Sequence, residues 1–292
     1  MKIRILLLLL LMFSLSACRR ALASNLDTDD EDVLSEEQIV SGGVTRHFLL
    51  HVPPSYNGLP IPLVINFHGL GSNSKEQAAL TGMSAKADEA GFIVVYPDGV
   101  DQVWHTGPGA EGEADLQFIR DLIARLENLY SINPKQIYAT GISNGGGMTN
   151  RLACDLSDVV AAIAPDSGAY NFWETCNPIR PVPVIAFHGL NDNIVPYEGG
   201  AQRIMEPPIE EWASAWAVRN QCNPNPEINS PVESVTTHHW SNCKNNADVI
   251  LYTLANHGHS WPGSPTLPRA ITSQAINATD LIWDFFSTHP MP

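Results

Sequence analysis

Short, nearly unbroken apolar runs recur along this chain, and each ends in a turn-forming cluster. Leu63-Val64-Ile65-Asn66-Phe67 runs into His68-Gly69-Leu70-Gly71, Phe92 to Tyr96 into Pro97-Asp98-Gly99, and Val184 to Phe187 into His188-Gly189. Ile137 to Thr140, Val159 to Ala164 and Val249 to Leu254 have the same character. Runs too short for helices and apolar at successive positions describe strands buried on both faces. Between them the period changes. Leu116, Ile119, Leu122, Ile123, Leu126 and Leu129 recur at helical spacing and predict an amphipathic helix over 113–130. Further helices are predicted over 75–90, closed by Gly91 at its C-terminus, after residue 144, where Met148 and Leu152 lie one turn apart, and over Ile271 to Phe286. Gln38 to Val40 and Thr45 to Val52 flank Gly42-Gly43 as a hairpin. Residues 199–247 are rich in Pro, Asn and Trp with little periodicity and read as an insertion or cap. Strands alternating with helices place the chain in the α/β class, as one domain around a mostly parallel sheet with helices on both faces. Reactive groups in such sheets collect beyond the carboxyl ends of the strands.

The N-terminus departs from this pattern. Lys2 and Arg4 precede an apolar stretch from Ile5 to Leu15, too short for a stable span, which ends Leu15-Ser16-Ala17-Cys18. Residues 1–20 resemble a bacterial lipoprotein signal peptide with Cys18 as the lipidated residue; the alternative is an ordinary signal peptide cleaved near Ala21 or Ala23. Residues 21–38 carry Asp27, Asp29, Asp30, Glu31, Asp32, Glu36 and Glu37, and this density of like charge predicts a solvated linker. The catalytic domain is then expected over 39–292, outside the cytoplasm. Across 292 residues the formal net charge is −15, which disfavours nucleic acid as a partner. With Cys18 assigned to the anchor, Cys154, Cys176, Cys222 and Cys243 remain. An even number in an exported chain suggests two disulfides among three possible pairings, and nearest neighbours, Cys154–Cys176 and Cys222–Cys243, are expected.

The chemistry centres on Gly141-Ile142-Ser143-Asn144-Gly145, which fits G-x-S-x-G between a strand and a helix. A serine on such a sharp turn exposes its hydroxyl, and the helix N-terminus beside it favours negative charge. A serine nucleophile needs a base, and the base needs a carboxylate. With this motif the acid and the base follow the serine in that order. Asp192, just past a buried strand, is the expected acid, with Asp166 as rival. His259, in Asn256-His257-Gly258-His259-Ser260, is the expected base, with His257 as rival. His68 and His188 read as loop-fixing side chains. The amides of Leu70 and Asn144 are the expected oxyanion donors. No histidine pair, neither His257 with His259 nor His238 with His239, has a third ligand at matching spacing, so no metal or other cofactor is implied.

These motifs together resemble the bacterial esterases grouped with polyhydroxybutyrate depolymerases and with feruloyl esterases of carbohydrate esterase family 1. The matching pieces are Phe67-His68-Gly69, Tyr96-Pro97-Asp98-Gly99, Tyr138 to Gly146, Phe187-His188-Gly189 with Asp192 and Val195-Pro196-Tyr197, and Gly258 to Gly263. The resemblance implies an α/β-hydrolase fold, a Ser143, Asp192 and His259 triad, and Trp104 and Trp261 bordering the acyl pocket. Leu70 stands where many relatives carry a cysteine. The expectation is an exported serine carboxylesterase. Its substrate would be a feruloyl or acetyl ester on plant polysaccharide, or alternatively a hydroxyalkanoate polyester. A binding lipoprotein without catalysis is the reading from another class. An exported peptidase of this fold would need a cap or propeller domain for which the chain has no room.

Overall fold

The computed structural model describes residues 34–171, 175–200 and 206–292. The leader, Cys18 and most of the acidic stretch lie outside them. Among the described residues one ten-stranded sheet runs in the order β1-β2-β4-β3-β5-β6-β7-β10-β9-β8. Its strands are β1 (Ser35–Ser41), β2 (Val44–His51), β3 (Ile61–Phe67), β4 (Ile93–Pro97), β5 (Ile132–Ile142), β6 (Ala162–Asp166), β7 (Val184–Gly189), β8 (Glu227–Val232), β9 (Val235–Trp240) and β10 (Val249–Leu254). Strands β4, β3, β5, β6, β7 and β10 are mutually parallel, while hairpins β1–β2 and β9–β8 flank them antiparallel. The helices are α1 (Ser74–Thr81), α2 (Met83–Ala90), α3 (Ala110–Leu129), α4 (Asn144–Asp155), α5 (Ile209–Arg219) and α6 (Ala278–Thr288).

Alternation along each central strand feeds two cores. Leu63, Ile65, Ile137, Ile163, Val184 and Leu251 face one core, closed by α3, α4 and α5. Val64, Val94, Tyr138, Ala162, Ile185 and Phe187 face the other, closed by α2 and α6. Successive side chains of a strand point to opposite faces, so an uninterrupted apolar run is what a doubly covered strand requires.

Four expectations are corrected. The folded region already includes Ser35, ahead of the expected residue 39, because Glu36 and Glu37 pair in register with Leu49 and Phe48 in the hairpin. Backbone pairing satisfies that segment while the Glu36 side chain stays outside in an ion pair with Lys75. The helix expected over 75–90 is two helices, broken where Gly82 takes a left-handed φ of 60°. The closing helix starts at Ala278, not Ile271, with the Asn277 side chain accepting from the Asp280 amide as its N-cap. Finally, where 199–247 reads as an insertion or cap, its described residues belong to the main sheet and its cover. They contribute α5 and the β8–β9 hairpin that extends the sheet. Ile209, Trp212, Ala213, Trp216 and Ala217 form the buried stripe of α5, and both indole N–H groups donate to Asn150 Oδ1 on α4. Cys154 bonds Cys176, and Cys222 bonds Cys243.

Candidate active site

The carboxyl ends of β5, β6, β7 and β10 set the site. Ile142, Asp166, Phe187 and Tyr252 lie in register across those four strands. Each strand then hands over to a loop that carries polar groups. Ser143 sits between β5 and α4 at φ 59° and ψ −122°, a conformation that strains a non-glycine residue. The strain is held by main-chain bonds on both sides. Ser143 N–H donates to the Asp166 carbonyl at 3.0 Å, and the Ser143 carbonyl accepts from Gly147 at 2.9 Å and Ala169 at 3.0 Å. Gly145 is required because a Cβ there would collide with the Phe67 and His68 carbonyl oxygens. Gly69 is equally close: a Cβ built on it would lie 3.5 Å from Ser143 Cβ, so the loop after β3 runs beside the hydroxyl.

Asp192 and His259 meet on the neighbouring loops. His259 Nδ1–H donates to Asp192 Oδ2 at 2.7 Å, which leaves Nε2 as the acceptor nitrogen of the ring. The Asp192 side chain is fully buried, whereas that of His259 is 14% exposed. Asp192 Oδ1 also accepts from Ile194 N–H at 2.9 Å and Val195 N–H at 2.8 Å. Burial pushes this carboxyl up, but the hydrogen bond and charge of His259, with the Val195 amide, outweigh it and hold the group below the usual range. A carboxylate fixed in this way orients its histidine and stabilises the imidazolium.

The rivals occupy other roles. His257 donates from Nε2 to the Ser260 carbonyl at 2.6 Å and accepts at Nδ1 from Ser273 N–H at 3.0 Å, so both ring nitrogens pin the loop. Asp166 is fully buried, and burial, followed by the nearby Asp192 charge, pushes its carboxyl well above the usual range. His68 donates to the Gly69 carbonyl and accepts from Gly99 N–H, while His188 donates to the Val195 carbonyl at 2.8 Å. Trp104 and Trp261 do not stand open as the border of an acyl pocket would. They are 1% and 0% exposed, one in each core on opposite sides of the sheet, because the strands and helices packed around them close over both rings. Trp104 packs edge-on against Phe67 at 5.0 Å, and Trp261 donates its indole N–H to Thr279 at 3.0 Å. The Leu70 side chain, by contrast, is 66% exposed.

Sequence reasoning missed Glu206. It is 7% exposed, its Oε2 has no hydrogen-bond partner among the described residues, and burial and then the Asp192 charge raise its carboxyl, opposed by His259. The signal was a lone acid in the otherwise apolar run Ile204-Met205-Glu206-Pro207-Pro208-Ile209.

The family model described as "Esterase PHB depolymerase" matches residues 46–196, more than half of the chain. The chain belongs to the PHB depolymerase esterase family. The matched region of this esterase family contains Ser143 and Asp192, while His259 lies beyond it. Feruloyl esterase B of Piromyces equi is 34% identical over 74% of this chain and 42% of its own length. This chain therefore spans less than half of that relative. Feruloyl esterase C of Emericella nidulans is 26% identical over 82% of this chain and 83% of its own. Among solved structures, an acetyl xylan esterase from Aspergillus awamori superposes with a TM-score of 0.65 at 17% identity, covering 87% of this chain and 99% of that one. At that identity the likeness bears on the fold: a mostly parallel sheet covered on both faces, the α/β-hydrolase arrangement.

Proposed function

We propose that this member of the family is an exported serine carboxylesterase that releases feruloyl or acetyl groups from plant polysaccharide through an acyl-enzyme. The observation that carries the proposal is the pairing of His259 with the buried Asp192 at 2.7 Å on the same sheet edge as the strained Ser143. In this reading Ser143 Oγ attacks the ester carbonyl carbon and passes its proton to His259 Nε2. The amides of Asn144 and Leu70 donate hydrogen bonds to the developing oxyanion; the former belongs to the first turn of α4, whose N–H groups have no intrahelical acceptor. Collapse of the tetrahedral intermediate breaks the bond to the leaving alcohol, which takes the proton from His259. A water molecule, deprotonated by the same nitrogen, then attacks the acyl-enzyme and frees the acid and Ser143. Asp192 stays ionised throughout. The relatives named as feruloyl esterases support the choice of acyl group. The two disulfides support an oxidising compartment. The lipid anchor at Cys18 belongs to the same proposal and rests on the sequence of the leader.

A second substrate reading has its own support. Leu70, Val100, Leu190, Ile194 and Ile271 are exposed aliphatic side chains, all on loops at the carboxyl edge of the parallel strands or tied to them. Such a rim suits an apolar hydroxyalkanoate polyester, in keeping with the family's name.

Both readings are tested by incubating the full-length protein and its Ser143→Ala variant with methyl ferulate, acetylated xylan and hydroxybutyrate oligomers, and identifying released acids by mass spectrometry. Ferulate or acetate released only by the unmutated protein supports the first reading. Hydroxybutyrate release moves the assignment to the polyester. No release, with no labelling of Ser143 by a fluorophosphonate, returns a binding protein.

A further inference from the structure

Asn144 holds more than a backbone donor. Its side chain turns to a different segment, where Oδ1 accepts from Trp104 N–H at 2.8 Å and Nδ2 donates to the Trp104 carbonyl at 2.8 Å. A carboxamide that answers both polar groups of one residue acts like a single rung of a β-ladder. It fixes the side-chain torsions of Asn144, and through them the peptide unit that follows the strained Ser143.

The strap over 104–107 is itself firmly held. His105 N–H donates to Asp115 Oδ2 at 2.9 Å, and Asp115 pairs with the buried Arg46 at 2.8 Å. The Arg151 guanidinium donates to the Gly107 carbonyl, and Asn171 donates to Thr106 Oγ1 at 3.2 Å. Asn144 and Arg151 are two turns apart on α4, so one helix face grips the strap at both ends. The Trp104 ring packs 5.3 Å from that of His68, which donates to the Gly69 carbonyl immediately before Leu70. One rigid body therefore links the Asn144 amide to the loop that carries the Leu70 amide.

We propose that Asn144 is a positioning residue whose two side-chain hydrogen bonds to Trp104 set the spacing of the two oxyanion donors. This rests on reading Ser143 as the nucleophile and those amides as the donors. Donors stabilise a tetrahedral intermediate only if they already stand where its oxygen will be, because reorganising them during the reaction cancels the gain. Side chain and amide belong to one residue, so loosening the first lets the second rock on a turn that has strain to release.

The test uses the full-length protein and its Ser143→Ala, Asn144→Ala and Asn144→Asp variants. Four quantities are read: kcat and KM on p-nitrophenyl acetate, Ki for phenylboronic acid as a tetrahedral mimic, and Tm. For Asn144→Ala we expect kcat to fall by about 10²-fold, with KM within about threefold, since donor misplacement of this kind costs on that order. The boronate should weaken in parallel, with Tm within a few degrees of wild type. Asn144→Asp is nearly isosteric but sets a carboxylate oxygen against the Trp104 carbonyl. It should fall at least as far as Asn144→Ala, whereas a purely space-filling role predicts activity near wild type. A kcat within about threefold of wild type in Asn144→Ala, or an unchanged boronate Ki, would overturn the proposal. If Asn144→Ala does not fold, Asn144→Asp decides by the same two constants. Turnover by Ser143→Ala would instead overturn the nucleophile assignment, and the role of the clamp with it.

Discussion

Replacing His188 by asparagine should remove much of the acid sensitivity of folding. The His188 ring is fully buried, donates to the Val195 carbonyl at 2.8 Å and lies 3.4 Å from Asp192 Oδ2. Burial drives its pKa down from 6.5 to about 4, overriding the opposing pull of the Val195 carbonyl and the Asp192 charge. The unfolded chain takes up this proton near pH 6.5, while the folded chain refuses it until about pH 4. Between those values the unfolded state binds more protons, so stability falls as pH drops. At roughly 1.36 kcal/mol per unit the full loss is about 3 kcal/mol, of which about 2 kcal/mol is reached by pH 5. His68, His257 and His289 are shifted the same way by burial, whereas Asp166 and Glu206 are shifted up by burial and push stability in the opposite direction with pH. The useful quantity is therefore the difference between two proteins. Urea unfolding followed by tryptophan fluorescence at pH 7 and pH 5 gives it directly. Wild type should lose about 2 kcal/mol more than His188→Asn over that interval. Equal losses within about 0.5 kcal/mol would refute the assignment of a buried, neutral His188.

Four further outcomes are expected. Ser143→Gly should abolish turnover yet raise stability by about 1 kcal/mol in urea unfolding, because glycine accepts the φ of 59° without strain. Asp192→Asn can still accept from the Ile194 and Val195 amides but turns an N–H toward His259; kcat should drop about 10⁴-fold with an unchanged circular dichroism spectrum. Changing Cys222 and Cys243 together to serine releases a link across a sequence separation of 21, and unfolding in urea should report a loss of about 3 kcal/mol. Gly145→Ala forces a Cβ into the Phe67 and His68 carbonyls; it should destabilise by about 1–3 kcal/mol and depress kcat, both measurable on the purified variant.

The local patterns of the chain carried much of this far. Strand β10 has the bounds its apolar run indicates, Val249 to Leu254, because a doubly covered strand needs apolar side chains at every position. The Gly42-Gly43 turn is equally local: both residues adopt positive φ, which glycine takes at little cost. Boundaries were harder where two local preferences compete. Gly82 could sit inside a helix or end one; where it ends one, segments far along the chain close in, with Pro265 beside Gly82 and Thr279 donating to the Thr81 carbonyl. The stripe of α5 was present in the sequence at positions 209, 212, 213, 216 and 217 but was masked by the prolines and asparagines around it.

The site divides along the same line. G-x-S-x-G and the order of acid and base are properties of the sequence, since a strand-turn-helix and the loops after successive strands are read along the chain. Which of two aspartates and which of two histidines would meet was decided by the sheet. Asp166 ends a strand inside the low-dielectric interior, where its charge is disfavoured, while Asp192 reaches a loop that supplies two amides and a histidine. Trp104 and Trp261 show the converse, because chemical type alone cannot tell an aromatic that lines a cleft from one enclosed by core. Likewise the second use of Asn144 needed the strap over 104–107, which lies 40 residues from it in sequence and is held by Asp115 and Arg151. Local structure follows from neighbours in the chain, but burial and the partner of a polar group depend on segments that only the closed sheet brings together.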